Sequence, residues 1–289
     1  MTTRRYFIGM AAATVAAGPA AAARAHIPLG IQLYTVREDL AKDFAGTLNQ
    51  IKAIGIHMVQ TASLAANGRD AMQLRKIFDD MGLTWKSSHA AGDALRISAQ
   101  QTIDRAKAAG LENLVCSFPP YPVDQVAVLA GPTRDDWKRD AETCNKIGEL
   151  CKKAGLTLSY HNHNVEFKKI DGVYAYDTLL KETDPALVQM EMDIGWVVAS
   201  GADPVDYLTR YPTRYRSLHI KDLKPQDVPN TDLKMISAII GKGMVDWTRV
   251  LAAAKKASVR NAYLEIEEPY DPSPLEMVRA SYGYLKGRI

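Results

Sequence analysis

From residue 27 onward, short runs rich in β-branched and aromatic residues alternate with longer runs whose apolar positions recur every three or four residues. Runs of the first kind predict strands at 29–36, 57–62, 83–89 and 113–118, a fifth starting at 158, then 188–196, 215–222 and 261–267. The second kind predicts amphipathic helices at 43–54, 69–81, 98–109, 133–154, 176–182, 203–210, 247–256 and 274–285. Gly55, Gly82, Gly110 and Gly155 each stop a helix just before a strand, and Ser98 reads as the N-cap of the third helix. Strand and helix therefore alternate throughout, which is the order of a parallel α/β architecture. Eight such pairs predict a closed (β/α)8 TIM barrel rather than an open doubly wound sheet, and no Gly-x-Gly-x-x-Gly turn follows the first strand.

Four of the predicted strands start apolar and end in potential ligands. The fifth runs into Tyr160-His-Asn-His-Asn-Val-Glu-Phe167, and the sixth carries Glu191 and Asp193 on one face. On the seventh, Ser217, His219 and Lys221 share a face, as do Tyr263, Glu265 and Glu267 on the eighth. Active sites of such barrels lie at the C-terminal ends of the strands. Glu166, Asp193, His219 and Glu265 are therefore candidate ligands of one divalent metal ion. Three carboxylates and an imidazole suit Mn, Mg or Co better than a thiolate-seeking ion, and Zn is allowed.

Composition narrows the partners. A formal net charge of +3 with 24% charged residues and no dense basic run points to a small-molecule substrate rather than nucleic acid. The first 25 residues are set apart as a segment of their own, 1–25, ahead of a single barrel domain, 26–289. In the first of these, Thr3-Arg-Arg-Tyr-Phe-Ile-Gly9 precedes an alanine-rich apolar run and Ala23-Arg-Ala25, which resembles a twin-arginine export signal. That resemblance implies a periplasmic or otherwise exported protein with no membrane span after signal removal. Of the three cysteines, Cys144 and Cys151 sit on one predicted helix roughly 10 Å apart, too far to bridge. The long connection from Leu223 to Val245 is a candidate cover for the site.

Five stretches together carry a family resemblance: Gly30-Ile-Gln-Leu-Tyr-Thr-Val-Arg37, Tyr160-His-Asn-His-Asn-Val-Glu-Phe167, Met192-Asp-Ile-Gly-Trp196, Leu218-His-Ile-Lys-Asp222 and Gly241-Lys-Gly-Met-Val-Asp-Trp247. In this order the chain resembles the sugar phosphate isomerase/epimerase family of xylose-isomerase-like barrels. The resemblance implies one metal held by Glu166, Asp193, His219 and Glu265, with Glu166 and Glu265 also acting as the acid/base pair. Glu267 competes with Glu265 for the last position. Two departures stand out: Gln60 occupies a position where many relatives have glutamate, and Trp196 one where ketose epimerases have histidine.

His89, His163, Trp196 and Lys221 are the candidate substrate contacts, each with a structural alternative. Of His161 and His163, at least one is expected to pack against a helix; Trp196 serves equally as core; and Lys221 could pair with Asp222. The function implied is a metal-dependent isomerase or epimerase that removes a proton next to the carbonyl of a sugar or sugar-like polyol through an enediolate. Its alternatives are a metal-dependent lyase acting on 3-keto-glycosides by β-elimination, and a non-catalytic exported sugar-binding or accessory subunit. The oligomeric state stays open, a homo-oligomer included.

Overall fold

A computed structural model describes residues 26–120, 131–226 and 228–289 of the chain. The export signal expected at 1–25 lies outside them. Among the described residues no helix is long and apolar enough to cross a membrane.

Eight parallel strands close into a barrel: β1 (Leu29–Gln32), β2 (Met58–Thr61), β3 (Thr84–Ala90), β4 (Asn113–Cys116), β5 (Thr157–His161), β6 (Val188–Asp193), β7 (Tyr215–Ile220) and β8 (Asn261–Leu264). Each strand pairs with its neighbours in sequence, and β8 returns to β1 through Leu29↔Ala262 and Ile31↔Leu264. Outside them run α1 (Phe44–Ile54), α2 (Ala71–Asp80), α3 (Gly92–Ala108), α4 (Arg134–Ala154), α5 (Ala175–Glu182), α6 (Pro204–Arg210), α7 (Trp247–Lys256) and α8 (Pro274–Leu285). Their starts follow from side chains: Asp43, Asp70, Thr133, Asp203, Asp246 and Ser273 each accept a hydrogen bond from a first-turn N–H that would otherwise go unpaired. The wall between barrel and helices is one continuous apolar core that includes Ile31, Trp85, Trp137, Met190, Leu218 and Leu264, all buried.

Several boundaries differ from the sequence pattern, three of them with a local cause. Helix α3 begins at Gly92, six residues before Ser98. Ser98 is a kink instead of a cap (φ −139°, ψ 44°), and its hydroxyl donates back to Ala94 O at 3.0 Å, a bond that competes with the helical ladder. Strand β1 stops at Gln32, where a 3₁₀ turn over Leu33–Val36 takes over. Strand β6 stops at Asp193, whose carboxylate accepts from Trp196 N–H at 2.9 Å and starts a short helix, Ile194–Ala199. In the last two cases the period of two ends where the ligand-bearing segment begins.

Candidate active site

The ends of β5 to β8 place their polar side chains in two tiers. In the lower tier Glu191 is fully buried and acts as a hub. Its Oε1 lies 2.7 Å from His89 Nε2, 3.2 Å from His161 Nδ1 and 3.0 Å from His219 Nε2. Its Oε2 accepts from Gln60 Nε2 at 2.8 Å and from Ser217 Oγ at 2.7 Å. Burial opposes the Glu191 charge, but His219, His161 and His89 outweigh it and hold the carboxyl well below its usual range. The departure at Gln60 has a physical reason here, since a glutamate in that place would set a second carboxylate against Glu191, whereas the amide donates to it and receives from Gln32 at 3.0 Å.

The upper tier joins the lower one through His219. Nδ1 of that ring lies 2.7 Å from Glu265 Oε2 and 3.9 Å from Asp193 Oδ2, on the side opposite Glu191. Burial disfavours charge on the ring, yet Glu191 and Glu265 together raise its pKa to about 10. Lys221 reaches the same acids, 2.9 Å from Asp193 Oδ2 and 2.8 Å from Glu265 Oε2, and it also contacts Glu267. Against the cost of burial, Asp193, Glu265 and Glu267 hold its ammonium well above the usual lysine range. Asp193 moves the other way: burial lifts it to about 6, although Lys221 pulls it down. Lys221 does not pair with Asp222. The next side chain along a strand points to the opposite face, and Asp222 turns outward to accept from the backbone N–H groups of Leu223, Gly241, Gly243 and Val245 and from Trp247 Nε1, at 2.9–3.2 Å.

Two glycines of the quoted motifs act by close approach. A Cβ on Gly195 would stand 2.8 Å from Lys221 Cγ, and one on Gly243 would stand 2.2 Å from Asp222 Oδ1. The first lets the Ile194–Ala199 turn press on the lysine stem. The second lets the Gly241–Trp247 segment wrap the aspartate.

The fifth strand's motif divides its work residue by residue. His161 enters the lower tier, where burial and His219 push its pKa down to about 3. Asn162 pairs with the Asp193 backbone, accepting from its N–H at 3.1 Å. His163 lies 5.5 Å from the Phe118 ring and 5.8 Å from Trp196, with Nδ1 buried and unpartnered; burial, then His161, lowers its pKa far enough to keep it neutral. Asn164 accepts from Leu233 N–H at 3.1 Å and donates to Asn230 Oδ1 at 2.9 Å, latching the β7 loop to the rim. Glu166 accepts from Tyr160 OH at 2.8 Å and from His163 N–H at 2.9 Å, and burial raises its pKa to about 7.

Above both tiers opens a cavity of about 450 Å³. Gln32, His89, His161, His163, Glu265 and Glu267 give it polar walls, while Tyr34, Phe118, Trp196 and Leu233 are among its apolar ones. Of the four expected metal ligands, Asp193, His219 and Glu265 come together, with ligand atoms within 4.8 Å of one another. Glu166 is in neither that group nor the cavity wall among the described residues. His161 and His163 both face the cavity, and His163 also stands against Trp196 of the Ile194–Ala199 helix. Glu191 and Gln32 carry site roles that sequence reasoning passed over. A carboxylate two residues before Asp193 on the same strand face was the available signal for the first. His89, His161, Glu191 and His219 form a second group that could hold a metal ion, sharing His219 with the first.

The chain belongs to the xylose isomerase-like TIM barrel family, whose model matches residues 47–288. A solved sugar phosphate isomerase/epimerase from Parabacteroides distasonis is 26% identical, superposes with a TM-score of 0.75 and covers 96% of this chain and 98% of its own. An inosose dehydratase from Clostridium perfringens is 28% identical over 165 residues, 53% of this chain and 54% of that protein. The chain thus matches about half the length of such curated relatives. The IOLI protein, solved with a bound zinc atom, shares the fold with a TM-score of 0.69 at 14% identity, covering 91% of this chain and 98% of its own.

Proposed function

We propose that the chain is a divalent-metal-dependent lyase that removes water from a sugar-like keto-polyol, starting with the proton on the carbon next to the carbonyl. The observation carrying this reading is the placement of Glu166. Epimerisation by two glutamates needs a carboxylate on each face of the substrate, and here the second, tied to Tyr160 and the His163 backbone, is in neither the ligand group nor the cavity lining among the described residues. The carboxylates that do line the cavity, Glu265 and Glu267, both follow β8 and approach from one side. Elimination needs one base and an oriented leaving hydroxyl. The relatives named inosose dehydratase support the same class.

Asp193, His219 and Glu265 would hold the metal, which would take the place of the proton that His219 carries between Glu191 and Glu265. The fit rests on the donor set: two buried carboxylates and an imidazole nitrogen whose ligand atoms lie within 4.8 Å of one another. A bound divalent ion there supplies Lewis acidity toward a carbonyl oxygen. Glu265, whose Oε2 is engaged by His219 and Lys221, keeps Oε1 for the substrate proton. The Lys221 ammonium beside it offsets negative charge growing on the substrate oxygen. His163, neutral and facing the cavity, orients the hydroxyl, which leaves as water on receiving the proton that Glu265 has taken, while the C–O bond breaks and the carbon–carbon double bond forms. Trp196 offers a ring face to the substrate's carbon skeleton.

Isomerase or epimerase chemistry is the second reading, favoured by the Parabacteroides neighbour that matches nearly the whole chain. The deciding experiment incubates the metal-loaded protein in D₂O with inososes, free ketoses and 3-keto-glycosides. Loss of water by mass spectrometry, abolished in Glu265→Gln and retained in Glu166→Gln, is the expected result. Stereochemical inversion without water loss, abolished in both variants, would instead establish the epimerase. Tight binding with no exchange would leave the accessory role.

A further inference from the structure

The N-terminal end of the barrel carries a second cavity, of about 340 Å³. Its walls come from where strands begin: Thr157 opens β5, Arg216 is the second residue of β7, and Arg260 immediately precedes β8. Lys152, from the last turn of α4, adds a third cation, and Thr213 and Ser258 add hydroxyls. No carboxylate lines it among the described residues.

The charge in this cavity is only partly balanced by the fold. The Arg216 side chain is only 13% exposed, its Nε is buried without a partner, and the nearest carboxylate, Glu112, stays 3.7 Å away while pairing with Lys86 at 3.1 Å. Lys152 and Arg260 have no side-chain ion pair or hydrogen bond among the described residues. Burial and the neighbouring Arg260 work against the Arg216 charge, and Glu112 offsets them only in part. Two guanidiniums, an ammonium and three hydroxyls make a surplus of donors, and the matching ligand is compact, anionic and rich in acceptor oxygens. Guanidinium forks pair two-to-two with phosphate oxygens, which a halide cannot reproduce.

We propose that this cavity binds a phosphate group, inorganic or on a small ester, and that the bound anion ties together the N-terminal ends of β5 to β8. Conserving the barrel at this end is a matter of stability, because the chemistry sits at the other. The site is independent of the reaction proposed above.

Thermal melts of the full chain, titrated with sodium phosphate, with glycerol 3-phosphate and with NaCl at matched ionic strength, test it. Either phosphate compound should raise Tm saturably beyond NaCl, and the stronger of the two identifies the inorganic or the ester source. Arg260→Ala and Lys152→Ala, both at exposed positions, should each weaken the apparent affinity about tenfold. A rise that NaCl matches, or one that persists in the double variant, overturns the proposal.

Discussion

Lys221 holds its ammonium 2.9 Å from Asp193 Oδ2, within the group of ligands that a divalent ion would use. The metal-free fold thus carries its own counter-charge for Asp193, Glu265 and Glu267. Lys221→Met removes it and leaves buried carboxylates uncompensated, which should destabilise the metal-free protein by about 3–5 kcal/mol. The same substitution should tighten Mn²⁺ or Zn²⁺ binding, since the ion no longer shares the site with a cation. Urea melts with and without metal check both: the variant's midpoint falls without metal and recovers more with it than the wild type gains. Equal gains would show that ammonium and ion do not compete.

Glu166 should reveal itself through pH. Its folded pKa of about 7 lies above the ordinary 4.5, so folding favours the protonated acid. That contribution is complete below pH 4.5 and is lost as pH rises through 7. Glu166→Gln keeps the group neutral at every pH. Its stability relative to wild type should therefore improve between pH 5 and 8, by up to about 3 kcal/mol. Parallel curves for the two proteins would mean that Glu166 is charged and satisfied where it stands.

Asp222 makes a separate prediction. It gathers four backbone N–H groups and the Trp247 indole, so Asp222→Ala should cost about 2–4 kcal/mol by leaving those donors unpaired. Gly243→Ala should weaken the same cradle by clashing with Asp222 Oδ1 and Leu223 O. Chemical denaturation measures both. A loss under 1 kcal/mol for Asp222→Ala, well below the estimate, would show that water replaces the carboxylate.

Export is a proposal that the described residues leave untouched. Expression in a bacterium with a twin-arginine pathway should yield a periplasmic protein whose mature N-terminus, by mass spectrometry, is His26. An intact N-terminus in the cytoplasmic fraction would refute it.

Much of the barrel was legible because apolar periodicity and capping side chains say the same thing. The bounds predicted for α7 and α8 are the ones observed, and alternation placed Asp193 and His219 in the inward set, while the choice of Glu265 over Glu267 came from the family resemblance. Alternation failed where strands stop. Glu166 lies five residues beyond the end of β5, in a 3₁₀ turn where a period of two says nothing about direction. Trp196 follows β6 in a helix for the same reason. The Glu191 hub was hidden differently: its partners His89, His161 and Gln60 come from three other strands, and only closure of the barrel sets them around one carboxylate.

Neighbouring residues Lys221 and Asp222 face opposite worlds, one the catalytic chamber and the other the knot that organises the 237–247 segment. Anyone regrafting that segment to accept a new substrate inherits this coupling. A replacement that fails to grip Asp222 shifts the end of β7 and, with it, the charge at the heart of the chamber. The base of the loop, where Asp222 is gripped, is therefore the part that any replacement has to keep.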